Sequence, residues 1–163
     1  MKTVSREQIK QAWDEVANWT ESDTQAWVSE FMQEQPGLGI YLFASTESVK
    51  EEGGDDSAVI DLTLASWRAM SQATDRRLET VEPGTIERAE DANTKALEQL
   101  AEGSEMDWNQ FVQDIVGRYN QRELLGFGLE LLMSDNEESP ELAPDFIGLE
   151  LIEFKTVLDC LDQ

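Results

Sequence analysis

The groups in this sequence best placed to do chemistry are carboxylates in pairs. Glu87 with Glu90, Glu150 with Glu153 and Asp159 with Asp162 each stand three residues apart. On a helix that spacing puts both side chains of a pair on one face, and hard oxygen donors of this kind suit Mg²⁺ or Ca²⁺. Histidine is absent from the chain, which removes the commonest general base, the Ser-His-Asp triad and the Glu-x-x-His di-iron motif together. Cys160 is the only cysteine, so an intramolecular disulfide and a multi-cysteine zinc site are excluded. Its neighbours, Asp159 and Asp162, offer no cation to lower the thiol pKa, and Cys160 reads as a small apolar filler.

A second candidate chemistry lies in two glycine-x-glycine stretches, GLGIYLFAS at 37–45 and GFGLELLMS at 126–134. A dinucleotide fingerprint needs a third glycine where Leu42 and Leu131 stand, and a P-loop needs a Gly-Lys-Ser or Gly-Lys-Thr ending that the chain lacks. Both stretches read instead as helix whose glycines allow a neighbouring helix close to the backbone. The calcium-loop pattern fails at DNEESPELAPDF, where Pro140 replaces the required glycine and Phe146 the bidentate Glu.

The carboxylate pairs resemble, in general logic, the all-α nucleotide pyrophosphohydrolases, which hold Mg²⁺ with Glu-x-x-Glu and Glu-x-x-Asp motifs. The spacing between pairs departs from that family's, and 35 acidic residues produce such pairs freely on solvated helix faces. A Mg²⁺-dependent nucleotide hydrolase using Glu150 and Glu153 is therefore the enzymatic alternative. No catalytic, metal or cofactor residue is assigned. Five Trp residues offer material for an apolar ligand pocket, but most fall on core stripes.

The elements that would carry these groups are helical. Ser5 with Gln8 forms an S-x-x-Q capping box ahead of Ile9, Trp13 and Val16 on one face. A second start at Ser22 or Asp23 leads to Trp27, Val28, Phe31 and Met32, interrupted by Pro36-Gly37. From about Asp55 to Val81, the apolar or small positions Ile60, Thr63, Leu64, Trp67, Met70, Thr74, Leu78 and Val81 recur at three and four, predicting one long amphipathic helix ended by Glu82-Pro83-Gly84. Ile86, Ala89, Asn93, Leu97 and Leu100 form the next stripe, with Gly103-Ser104 as its stop. Asp107 heads a segment with Phe111, Ile115 and Tyr119; residues 122–133 and 145–161 follow, the last with Pro144 in its first turn. Almost nothing alternates with period two, and GIYLFA is the one strand candidate. The expectation is a single all-α domain over residues 1–163, a bundle of seven or eight helices.

The two glycine stretches also suggest a degenerate duplication with halves 1–74 and 90–163. Gly37, Gly39, Leu42 and Ser45 match Gly126, Gly128, Leu131 and Ser134 at one offset, at which Asn18-Trp19 meets Asp107-Trp108 and Ile60-Asp61-Leu62 meets Leu149-Glu150-Leu151. Each half then carries an acidic connector, at 47–56 and 135–145.

The formal net charge is −23, from 35 acidic and 12 basic residues. That balance opposes binding to nucleic-acid phosphates or anionic lipid and favours a cationic partner; the competing account is charge kept for solubility alone. MKTVSREQIK lacks an apolar signal region, and no run nears the ~18 apolar residues of a spanning helix, so a cytoplasmic protein is expected. The preferred reading is a non-catalytic protein–protein interaction module. Its partner-binding candidates are Glu47, Glu51, Glu52, Asp55 and Asp56 in the first connector and Asp135, Glu137, Glu138 and Glu141 in the second, pictured as flexible charged loops. A third reading makes the negative surface a mimic of nucleic acid that occupies a basic protein.

Overall fold

The computed structural model describes residues 2–51, 57–74, 77–102, 113, 115–138 and 144–162. Seven helices are named among them: α1 (Arg6–Ala17), α2 (Glu21–Glu34), α3 (Pro36–Glu51), α4 (Ser57–Ala73), α5 (Pro83–Glu102), α6 (Arg122–Glu138) and α7 (Pro144–Leu161). Residues 115–118 add a helical turn before α6, and no strand occurs among the described residues. The chain is an all-α multi-helix fold, and GIYLFA lies within α3. Gly103, Ser104, Asp107, Trp108 and Phe111 lie outside the described residues.

Helix α1 starts as its sequence implies. The Ser5 hydroxyl accepts from the Gln8 backbone N–H while the Gln8 side chain accepts from the Ser5 N–H, satisfying two donors that a helix start leaves open. Helix α2 begins earlier than Ser22. Thr20 is its N-cap, and the Asp23 carboxylate reciprocates by accepting from the Thr20 backbone N–H and hydroxyl. Pro36 does not simply interrupt, because its missing N–H and fixed φ suit the first position of α3.

The long helix expected from Asp55 to Val81 is shorter: α4 ends at Ala73, and residues 77–82 are not helical. Leu78 and Val81 are buried as anticipated, but from an irregular segment. The buried Gln35 side chain holds it, its amide nitrogen donating to the Glu79 carbonyl (2.9 Å) and its oxygen accepting from the Val81 N–H (2.9 Å). The Thr80 hydroxyl donates to the Glu34 carbonyl at 3.1 Å. Pro83 opens α5 rather than ending α4.

Helix α4 is the axis of the bundle. Every residue from Leu62 to Trp67 is buried, more than one full turn, so this stretch has no solvent face and is not amphipathic. It packs against α1, α2, α6 and α7, and the small side chains of Ala65, Ser66 and Ala69 leave room for those neighbours. Helix α7 is the second inner helix, burying Leu151, Phe154, Val157, Leu158 and Leu161 and meeting α3, α4, α5 and α6. Each such side chain, moved from water to the core, contributes about 1.5–3 kcal/mol. Gln121 ties both ends of the chain to this core: its amide oxygen accepts from the Val4 N–H (2.9 Å), and its nitrogen donates to the Lys2 carbonyl (3.2 Å) and to Asp162 (2.7 Å).

Candidate functional site

Of the nine nominated carboxylates, Glu47 and Glu51 fall at the C-terminal end of α3, and Asp135, Glu137 and Glu138 at that of α6. Glu52, Asp55, Asp56 and Glu141 lie outside the described residues. The connectors therefore differ from free loops over much of their length, since helix continues to Glu51 on one side and to Glu138 on the other and resumes at Pro144. The reason is local: SVKE and SDNEE contain neither glycine nor proline to stop a helix already running. Helix α3 packs chiefly on α2, α5 and α7, and α6 on α1, α4 and α7, so the two helices share α7 as a neighbour.

Their position carries an electrostatic consequence. A helix C-terminus holds a partial negative charge, and each carboxylate placed there opposes it by about 0.3–1 kcal/mol at low salt. The last turn of α6 contains acidic residues and no basic one. The arrangement raises local negative potential beyond what side chains alone would give.

The helix-spaced carboxylates are largely absorbed by structure. Asp159 accepts from Asn93 (2.9 Å) and from Lys155 (2.7 Å), with the Asn93 amide also donating to the Thr156 hydroxyl (3.1 Å). Asp162 accepts from Asn120 and Gln121. Glu150 and Glu153 are buried along α7, while Glu87 is exposed and Glu90 half-buried on α5. Tyr41 reaches this region from α3; burial pushes its hydroxyl pKa up, helped by the charges of Glu90 and Glu153, while a hydrogen bond with Thr156 opposes the shift. Among the described residues no three Asp, Glu or Cys side chains converge as metal ligands. Cys160 is buried, and burial pushes its thiol up to about 11. Asp61, half-buried on α4, is likewise pushed up by burial.

An aromatic cleft was not singled out by the sequence. Trp19 stacks on Trp27 (centroids 5.5 Å apart), and Trp67 meets both Trp27 (5.9 Å) and Phe31 (5.3 Å) edge-on. Arg68 lies 4.2 Å over Trp27 and pairs with Glu15 at 2.5 Å, tying α1, α2 and α4 together. Beside this cluster an open cleft of about 330 Å³ is lined by Trp27, Glu30, Glu34, Trp67, Ser71 and Arg77 among others, with Arg77 paired to Glu34 at 2.9 Å. The only sequence hint was the abundance of Trp, since Trp27 and Trp67 are brought together by packing and not by spacing.

Two glycines of the echoed stretches share a role. A Cβ on Gly39 would meet the Met32 side chain, and one on Gly128 would meet the Phe154 ring. Leu42 is buried, whereas its counterpart Leu131 is half-buried. No helix of the described residues is long and apolar enough to cross a membrane. No protein-family model matches the chain, and neither a curated protein nor a solved structure matches it.

Proposed function

We propose that this protein is a non-catalytic interaction module whose acidic helix ends hold a partner protein with a basic surface. The observation that carries this reading is the acidic, cation-free last turn of α6, which places three acidic residues at the negative end of the helix dipole. A charge arrangement that costs folding energy finds its compensation in an incoming cation. The net charge of −23 adds long-range attraction for such a partner and repels phosphates. Glu150 and Glu153, being buried in α7, do not favour the Mg²⁺-dependent alternative.

The test is affinity capture with the full chain and with the quadruple variant Glu51→Gln, Glu52→Gln, Glu137→Gln, Glu138→Gln. Proteins held by the wild type at low salt are expected to be basic, to elute as salt shortens the screening length to ~3 Å near 1 M, and to be lost by the variant. Retention of the same proteins by the variant would remove this reading. Competition by duplex DNA for a captured protein separates nucleic-acid mimicry, a special case of the same charge logic, from recognition of a basic surface that does not bind DNA.

A further inference from the structure

Three large apolar side chains are conspicuously exposed among the described residues: Ile40 (66%), Phe43 (49%) and Leu149 (47%). Two of them lie on one helix, three residues apart, and so form a single apolar turn on the outer face of α3. The inner side of α3 is already occupied, with Leu38 and Leu42 buried in the core. Ile40 and Phe43 lie outside that buried core. Next to Phe43 a small apolar crevice opens between α2, α3 and α4, lined by Val28, Phe31, Ile60 and Leu64, and Val28 and Ile60 are themselves only half-buried. The apolar surface thus extends sideways from α3 toward α2 and α4.

The same helical register runs on from positions 40 and 43 to positions 47 and 51, both glutamate, with Lys50 between them as the one cation of this helix end. An apolar turn followed by an acidic helix end has a definite complement: a helix that is apolar at one end of a face and cationic at the other. A second copy of this chain does not fit, because each copy carries a formal charge of −23 and would bring like charge against like.

We propose that the outer face of α3, with the crevice beside Phe43, receives an amphipathic cationic helix of a partner protein. Apolar residues of that helix cover Ile40 and Phe43, and its Lys or Arg side chains meet the acidic end of α3. This rests on the reading that the partner is basic, and adds where the partner sits and the conformation it takes. Burial of the exposed apolar turn supplies affinity, while the charges supply attraction and orientation.

The experiment uses the full chain and two fluorescein-labelled Lys/Leu peptides of identical composition, one with its leucines at helical spacing and one with the order scrambled. Binding is followed by fluorescence anisotropy at two salt concentrations, with peptide helicity read by circular dichroism. The patterned peptide is expected to bind more tightly than the scrambled one and to become helical on binding. The double variant Ile40→Ser, Phe43→Ser should weaken the patterned peptide by about ten-fold or more with its salt dependence unchanged, whereas Leu149→Ser should leave it alone. Thermal melting checks that each variant keeps its fold, and Phe43→Lys gives a second route, setting a cation against the incoming one. If both peptides bind equally and neither α3 variant affects them, the docking face is wrong while the basic-partner reading stands. If neither peptide binds, the basic-partner reading falls and takes this proposal with it. A concentration-dependent dimer abolished by Ile40→Ser, Phe43→Ser would make a second copy the occupant and overturn the proposal.

Discussion

Gly126 and Gly128 stand two residues apart in α6 and have opposite surroundings. A methyl group on Gly126 would come to an ordinary contact with the Val116 side chain, 3.6 Å away. A methyl group on Gly128 would collide with the edge of the Phe154 ring, a fully buried side chain. Gly126→Ala should therefore raise stability by up to about 1 kcal/mol, the ordinary gain of alanine over glycine in a helix. Gly128→Ala should lower it, because an overpacking cost of about 1–3 kcal/mol exceeds the same gain. Urea unfolding of the two variants checks the pair, and equal shifts would mean that α6 and α7 are not in close approach at Phe154. Gly39 differs again, since its obstacle is the flexible thioether of Met32. The sequence supported the general idea that these glycines serve helix packing, but it gave no means of telling Gly126 from Gly128.

Gln35 decides where two elements end. With its side chain truncated, the Val81 N–H would be buried without an acceptor, a penalty of about 1–3 kcal/mol. Gln35→Ala is thus expected to destabilise the protein by that amount and to speed hydrogen exchange at Val81 more than at α4 amides. Unchanged exchange at Val81 would show that the segment is held by Leu78 and Val81 alone. This clamp also explains why the helix expected to reach Val81 ends at Ala73. Leu78 and Val81 continue, through Thr74, the three-and-four pattern of Leu64, Trp67 and Met70, and apolar periodicity does not distinguish a continued helix from an irregular segment anchored by two apolar residues. What distinguishes them is a glutamine more than forty residues away. By contrast the Ser5 box and Pro144 were legible because a cap acts within one turn of its own sequence. The Thr20–Asp23 box obeys the same rule with aspartate in the usual place of Glu or Gln, which is why the expected start at Ser22 or Asp23 lies two or three residues after the Thr20 cap. The acidic candidates were legible as composition, whereas their place at helix ends depends on how far α3 and α6 run.

At the scale of the molecule, charge is the dominant unusual property. The ion pairs that neutralise part of it include Arg6–Glu130, Lys95–Asp91 and Arg122–Glu123, all with both partners well exposed, and such pairs contribute about 0–1 kcal/mol each. Screening them costs little, while screening the mutual repulsion of the carboxylates helps throughout. The melting temperature is therefore expected to rise as sodium chloride is increased from low to physiological concentration, where the screening length falls to ~8 Å. A fall in melting temperature over that range would show that the exposed pairs outweigh the repulsion.

Gln121 gathers Lys2, Val4 and Asp162 onto one amide group. Whatever is attached before Lys2 and whatever is attached after Asp162 would leave the bundle from nearly the same point. Two cargoes fused to opposite ends of this chain would thus be held side by side, with the helices behind them acting as a single post.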